Sequence, residues 1–349
     1  MNVTIVKKLP PVEDIINEFP LSEAAAQKVT HDREEVNAIL EGKDRRFIVI
    51  VGPCSAWPKE AVFEYAKRLK ALEPELRDAL KIVMRVYIQK PRSTKGWTGP
   101  VNQPDPLGSP DIGEGIRYCR EMMVRVVEMG LPIADEALFT HNAKGFLELL
   151  SWVAIGARSS EDQEHRVFAS SLDCAAGLKN PTQGSMEIAV NSVVAAQYPH
   201  AAVFDGYEVR TSGNKYAHLV LRGSEKAPNY SLADLQYAVS EMGKHNLANP
   251  AIIVDASHDN CKVNGVKEGK NEAHAVQEVL KTLDVHPELL PFIKGFMLES
   301  FIKDGNQKVD PARPENLDST GLSITDPCLG WDQTQELLKE MAAFKRSHA

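Results

Sequence analysis

Cys54, His258, Glu299 and Asp326 carry a thiol, an imidazole and two carboxylates. This mixed donor set suits Mn, Fe, Co or Zn better than Mg or Ca. No local CxxC or HxxxH spacing links the four, so the set has meaning only if the fold brings them together. A second group is cationic: Arg85, Lys90, Arg92, Arg158, Lys179 and Arg222. Arg pairs planar anions through two parallel bonds, and Lys acts as a point charge. Six cations exceed the need of one phosphate, which points to two anionic ligands or one ligand with two anionic groups. Taken singly, a Lys or Arg after a strand is the chain reaching water, and a lone Cys is a small hydrophobe. His165, within Gln163-Glu164-His165-Arg166, is read in that plain way, as a structural helix residue.

The elements that must position these groups follow from the pattern of apolar runs. Eight runs read as strands: residues 47–52, 82–86, 132–136, 153–157, 175–179, 218–221, 252–256 and 295–298. Several are apolar throughout, as strands buried on both faces are. Helical stretches are expected at 60–72, 111–129, 144–150, 161–170, 186–196, 232–244, 273–283 and 334–344. Eight βα units favour a closed (β/α)8 TIM barrel over an open, doubly wound sheet. Residues 1–45 form a helical N-terminal extension, with a helix over 23–40 started near Ser22 and stopped by Gly42. Residues 46–349 are the catalytic barrel. A small β-hairpin, 202–205 and 207–211 around Gly206, precedes the sixth strand. Each barrel strand ends on polar residues: Cys54, Arg85, Glu136, Arg158, Lys179, Arg222, His258 and Glu299 stand at or just beyond the eight ends. Strand ends of this architecture converge on the face that carries active sites. Strands one, seven and eight are neighbours there, which gathers Cys54, His258 and Glu299. The long loop after strand eight, 301–332, supplies Asp326.

Composition limits the alternatives. The net charge of -8 argues against nucleic-acid binding. No apolar run approaches a membrane span, and the first residues lack the apolar segment of a secretory signal. Five widely spaced cysteines do not form a disulfide framework and fit a reduced, cytoplasmic protein.

The motifs Gly52-Pro53-Cys54-Ser55, Met84-Arg85-Val86-Tyr87, Lys90-Pro91-Arg92-Ser93, Gly156-Ala157-Arg158, Lys179-Asn180, Leu221-Arg222-Gly223, Ser257-His258 and Ser323-Ile324-Thr325-Asp326 resemble those of type I 3-deoxy-D-arabino-heptulosonate 7-phosphate (DAHP) synthases, in family order. The resemblance implies a metal-dependent condensation of phosphoenolpyruvate with erythrose 4-phosphate, the entry step of the shikimate route to aromatic amino acids. It implies one divalent metal held by Cys54, His258, Glu299 and Asp326. It places Arg158 and Arg222 at the phosphoenolpyruvate phosphate, with Arg85, Lys90, Lys179 and Glu136 near its carboxylate and reacting end. Arg92 and Ser93 fall to the erythrose 4-phosphate phosphate, and Asp326 faces the same pocket. Lys90 is the expected proton donor, with a pKa lowered by neighbouring cations. Cys54 and His258 join it as catalytic residues. Family members are commonly homodimers or homotetramers.

The chain departs from the family at Ser93, where Thr is frequent, at Gln89, where Glu is frequent, and in Lys179-Asn180-Pro181-Thr182-Gln183-Gly184. A short hairpin and Asp173, in place of a small hydroxyl residue, lead to an expectation of weak or absent inhibition by Phe, Tyr or Trp. Cys328, two residues after Asp326, is expected near Cys54, with oxidation of the pair inactivating the metal-free protein. Rival readings are a 3-deoxy-octulosonate phosphate synthase, separated by its five-carbon acceptor, and a catalytically silent paralogue, separated by absence of phosphate release.

Overall fold

The computed structural model describes residues 2–92, 95–138, 144–204 and 206–348. Two helices come first, α1 (Val12–Glu18) and α2 (Glu23–Leu40). Ser22 caps α2, its Oγ accepting from the Ala25 N–H at 3.2 Å. Then follow β1 (Phe47–Gly52), α3 (Lys59–Leu76), β2 (Leu80–Arg85), α4 (Ile112–Glu128), β3 (Ile133–Ala137), β4 (Leu150–Ile155), α5 (Gln163–Ser170), β5 (Ala175–Lys179) and α6 (Met186–Gln197). The chain continues with β6 (Ala201–Phe204), β7 (Tyr207–Arg210), β8 (His218–Leu221), α7 (Leu232–Gly243), β9 (Ile252–Asp255), β10 (Lys262–Val263), β11 (Val266–Lys267), α8 (Lys270–Val285), β12 (Ile293–Glu299) and α9 (Trp331–Ser347).

Eight strands close into a barrel in the order β1-β2-β3-β4-β5-β8-β9-β12, with β12 returning to β1, and each neighbouring pair is parallel. The two-residue alternation of a strand sorts their side chains. Phe47, Val49 and Val51 pack outward with the helices, whereas Ile48 and Ile50 join the inner core with Val83, Ala154, Val220 and Met297. The same alternation carries one step further along each strand. It sets Arg85, Glu136, Lys179, Arg222, Asp255 and Glu299 in a polar layer above the apolar one. Small residues make room for these bulky groups: a Cβ on Gly156 would lie 2.6 Å from the Glu136 Oε1. One on Gly177 would lie 2.1 Å from the Trp152 ring.

The N-terminal segment takes part in the barrel core. Val36, Ile39 and Leu40 of α2 are buried with the inward residues of β1, β2 and β4. Lys81 of β2 donates to Asp32 of α2 at 2.6 Å and also pairs with Glu35. This buried Lys explains why β2 begins at Leu80, before the apolar run that marked it in sequence.

One expectation on secondary structure needs correction, and one element was not foreseen. The helix expected over 144–150 does not form. Gly145 sits at φ 79°, a 3-10 turn spans Leu147–Leu149, and Leu150 already opens β4. The mostly apolar stretch there serves a buried turn and a buried strand alike, and periodicity does not separate them. The hairpin β10–β11 was not foreseen, although Asn264 and Gly265 at φ 52° and 80° make the left-handed two-residue turn that an Asn-Gly pair favours. The expected hairpin before the sixth barrel strand is present as β6 and β7, with Asp205 outside the described residues.

Candidate active site

The barrel's polar layer and the loops above it divide into two connected parts. In the first, ligand atoms of Cys54, Glu299 and Asp326 all lie within 4.8 Å of one another. Cys54 and Glu299 reach this point from the ends of β1 and β12, which pair in register through Gly52 and Glu299. Asp326 comes from the long loop after β12, which is folded on itself. Gly305 bridges to Cys328 and Asn306 to Ser323, while the Asn306 Nδ2 donates to the Thr325 carbonyl at 2.7 Å. Ser55 and Thr325 hydroxyls meet at 2.9 Å, fastening the loop to the end of β1. Donors about 2.0–2.3 Å from a common ion lie at most ~4.6 Å apart, so thiolate and two carboxylates in this arrangement fit a borderline transition-metal ion.

His258 stands beside this group, its Nε2 3.7 Å from the Glu299 Oε1. Its backbone φ is 57°, a left-handed value that costs free energy for a side chain of this size and concentrates at functional sites. Its Nδ1 is 2.8 Å from the Asp255 Oδ2, leaving Nε2 to face Glu299. Burial lowers the His258 pKa against the opposing pull of Asp255. The carboxylate–imidazole pairing is the arrangement that orients metal-bound histidines.

The second part is a cavity of about 330 Å³, its open mouth included, bordered by Glu136, Arg158, Lys179, Arg222 and His258. Its cations are not the bare cluster that the sequence suggests. Lys179 lies 3.2 Å from Glu136 and 3.7 Å from Asp255. Arg222 pairs with Asp259, and Arg85 donates to Glu299 at 2.9 Å. Burial alone would raise the Glu136 pKa, but Lys179 and Lys90 hold it at about 2. Donors nevertheless remain: the Arg85 Nη1 and the Arg222 Nε are buried without a hydrogen-bond partner among the described residues. Such unmet donors suit incoming anionic oxygens. Arg92 is exposed, its Nε donating to the Trp97 carbonyl at 2.9 Å, and Ser93 lies outside the described residues.

Lys90 belongs to the first part. Its Nζ is 2.8 Å from the Cys54 carbonyl and 3.0 Å from the Cys54 Sγ. The expectation of a lowered pKa is overturned. Burial pulls it down, but Cys54 and Glu299 more than reverse this and hold it above the usual lysine value. Burial and Glu299 in turn push the Cys54 thiol up to about 11, against the pull of Lys90. The Cys54 N–H also meets the Cys328 Sγ at 3.4 Å, so the expected neighbourhood of the two cysteines holds, and both thiols are free.

Several residues act here that sequence reasoning left without a role. Tyr87 lies under three cations, with Arg85 3.8 Å, Lys179 5.8 Å and Lys90 6.0 Å from its ring centroid. Its signal was position, two residues beyond Arg85 on the same inward face. Asp255 had a comparable signal at the end of β9. Lys267, 2.9 Å from Asp326, comes from the unforeseen hairpin and was not legible in advance. His165 is structural as expected, its Nε2 2.9 Å from the Leu138 carbonyl.

The chain matches the model of the DAHP synthetase I family over residues 19–339. It is 38% identical to the Tyr-sensitive phospho-2-dehydro-3-deoxyheptonate aldolase of Salmonella typhimurium, over 98% of this chain and 94% of the relative. It is 37% identical to the phospho-2-dehydro-3-deoxyheptonate aldolase of Corynebacterium glutamicum, over 99% and 93%. A solved phospho-2-dehydro-3-deoxyheptonate aldolase from Francisella tularensis superposes with a TM-score of 0.91 at 33% identity, covering 99% of both chains.

Proposed function

Because the chain belongs to the DAHP synthetase I family, whose activity is that of a 3-deoxy-7-phosphoheptulonate synthase, we propose that it condenses phosphoenolpyruvate, erythrose 4-phosphate and water into DAHP and phosphate. This is the first step of the shikimate route to chorismate and the aromatic amino acids. The observation that carries the detailed reading is that His258 borders the cation-lined cavity and stands beside the Cys54, Glu299 and Asp326 cluster, with Lys90 on the Cys54 Sγ.

Cys54, His258, Glu299 and Asp326 would hold one divalent ion, Mn, Fe, Co or Zn, which supplies Lewis acidity toward the aldehyde oxygen. Arg158 and Arg222 bind the phosphoenolpyruvate phosphate, while Arg85, Lys90 and Lys179 face its carboxylate and reacting end, with Glu136 balancing Lys179. Arg92 and Ser93 take the phosphate of erythrose 4-phosphate. Carbon 3 of phosphoenolpyruvate bonds to the aldehyde carbon, and positive character develops at carbon 2. Lys90 hands its proton to the new alkoxide. An alkoxide is a far stronger base than an amine, so a raised lysine pKa does not prevent the transfer. Water adds at carbon 2, loses a proton, and phosphate leaves. The ionised Glu136 pairs with Lys179 beside that centre.

Residues 46–349 carry this chemistry, with residues 1–45 as the extension. No described helix is long and apolar enough to cross a membrane, and a cytoplasmic setting accords with the free thiols. Val3, Ile5 and Val6 are exposed on the N-terminal arm, which supports association into a homodimer or homotetramer. The deciding assay follows phosphate release from both substrates by chelator-treated protein, with Mn, Fe, Co and Zn restored singly. Activity is expected only with metal and only with erythrose 4-phosphate as an efficient acceptor. Equal turnover without metal, or preference for arabinose 5-phosphate, would overturn the reading.

A further inference from the structure

At the opposite, N-terminal end of the barrel lies a second cavity of about 1170 Å³, its open mouth included. Its walls come from the segment after α2, the start of β12 and the end of α9. The charged groups there fall into two sets. Glu41 pairs with Lys43 and Lys215, Arg46 with Asp44 and Glu35, and the His348 Nε2 lies 3.2 Å from Asp284. Arg45, Lys294 and Lys345 have no carboxylate at ion-pair distance among the described residues. Lys345 is only 9% exposed, and its Nζ sits 4.3 Å from the ring centroid of Phe47, the first residue of β1. Burial, then Lys294 and Arg45, bring its pKa down to about 8, against the pull of Asp44. Burial lowers Lys294 as well. The Lys294 Nζ closes one wall, 3.5 Å from where a Cβ on Gly42 would stand.

We propose that this cavity is a second anion site, which takes inorganic phosphate or a small phosphate monoester between Lys345, Lys294 and Arg45. A buried ammonium without an ion-pair partner is costly, and three like charges around one cavity repel. A dianion relieves both terms, and a guanidinium with two ammonium groups matches phosphate oxygens. The site is separate from the catalytic face. Lys294 and Glu299 lie at opposite ends of β12, and five residues of strand span roughly 16 Å.

The test is competitive lysine acetylation of the intact protein at pH 7, read peptide by peptide by mass spectrometry. Inorganic phosphate, glycerol 3-phosphate and sodium chloride are compared at matched ionic strength. An anion that raises the Lys345 pKa by one unit lowers its free-amine fraction about tenfold. Saturating phosphate is therefore expected to slow Lys345 labelling about tenfold, with chloride without effect. Protection by phosphate alone assigns the free anion, and protection by both assigns a phosphate-monoester site. Lys294→Met should abolish the protection, and Arg45→Ala on the exposed rim should weaken it without disturbing the core. Equal protection by chloride overturns the proposal, as does protection that survives both substitutions. A Lys345 that stays unlabelled under every condition, as under a covering second copy, also overturns it.

Discussion

Lys90 acts on the candidate site through Cys54, and Asp255 through His258. Lys90 touches the Cys54 Sγ and carbonyl, and its charge is held by Cys54 and Glu299. Lys90→Ala removes both the counter-charge and the proposed proton donor. Turnover is expected to fall about 10²–10⁴-fold, the usual range for a general acid, in steady-state phosphate release. A variant near wild-type turnover would remove Lys90 from the chemistry. Asp255 lies 2.8 Å from the His258 Nδ1, which the Ser257 hydroxyl also meets, and the His258 Nε2 faces Glu299. Burial would raise the Asp255 pKa, yet His258 and then Lys179 keep it well below the usual carboxylate range, so it stays ionised at neutral pH. Asp255→Asn should weaken metal affinity about 10–100-fold, read by competition with a chromophoric chelator. Unchanged affinity would mean that the ring is oriented by Ser257 and packing alone.

Among the elements, β4, β5 and β8 show how apolar strands support a polar rim. Trp152 of β4 reaches across the interior, fits only because residue 177 of β5 is Gly, and donates from Nε1 to the His218 Nε2 of β8 at 3.1 Å. The His218 Nδ1 faces the Tyr216 carbonyl at 2.9 Å, so the ring is buried and neutral. Burial lowers its pKa from 6.5 to about 4. Above pH 6.5 neither state is protonated and the group has no pH effect. As pH falls from 6.5 to about 4 the unfolded chain binds a proton that the folded ring refuses, so stability declines through that window. The loss reaches roughly 3 kcal/mol, at 1.36 kcal/mol per pKa unit. Urea denaturation of the wild type and of His218→Gln at pH 7 and pH 4.5 should show a flatter pH dependence in the variant. Equal slopes would place the acid sensitivity elsewhere.

At the scale of the whole molecule, the barrel is closed below by α2 and carries its chemistry above. The hairpin β6–β7 is short, four residues in each strand, and Asp173 is exposed. A relative of 38% identity is named Tyr-sensitive. We nevertheless expect Phe, Tyr and Trp at millimolar concentration to leave most of the activity in a steady-state assay. Sub-millimolar inhibition by any of them would refute this. The hairpin β10–β11 adds a connection that spans the site: Lys262 pairs with Asp259, the partner of Arg222, while Lys267 holds Asp326. It thereby joins the cation-lined cavity to the candidate metal cluster.

The amino-acid order alone determined the eight strands, the barrel and the identity of the groups at its rim. A parallel strand buried on both faces needs an unbroken apolar run, and such runs are local and easily read. Polar residues at or just past the runs were equally legible: Arg85, Glu136, Lys179, Arg222 and Glu299 stand in the polar layer at the strand ends, with Cys54 just beyond β1. Boundaries failed where burial was rescued from afar, as at Lys81, whose partners lie on α2. Tertiary structure alone decided the charge states. Lys90 looked cation-crowded in sequence because its neighbours there include Arg92, but in space Cys54 and Glu299 act on it more strongly than Arg85 does. It also decided that Arg85, Lys179 and Arg222 come matched with acids. Charge balance depends on distances of a few ångströms between residues up to hundreds of positions apart, and spacing along the chain holds no record of those distances.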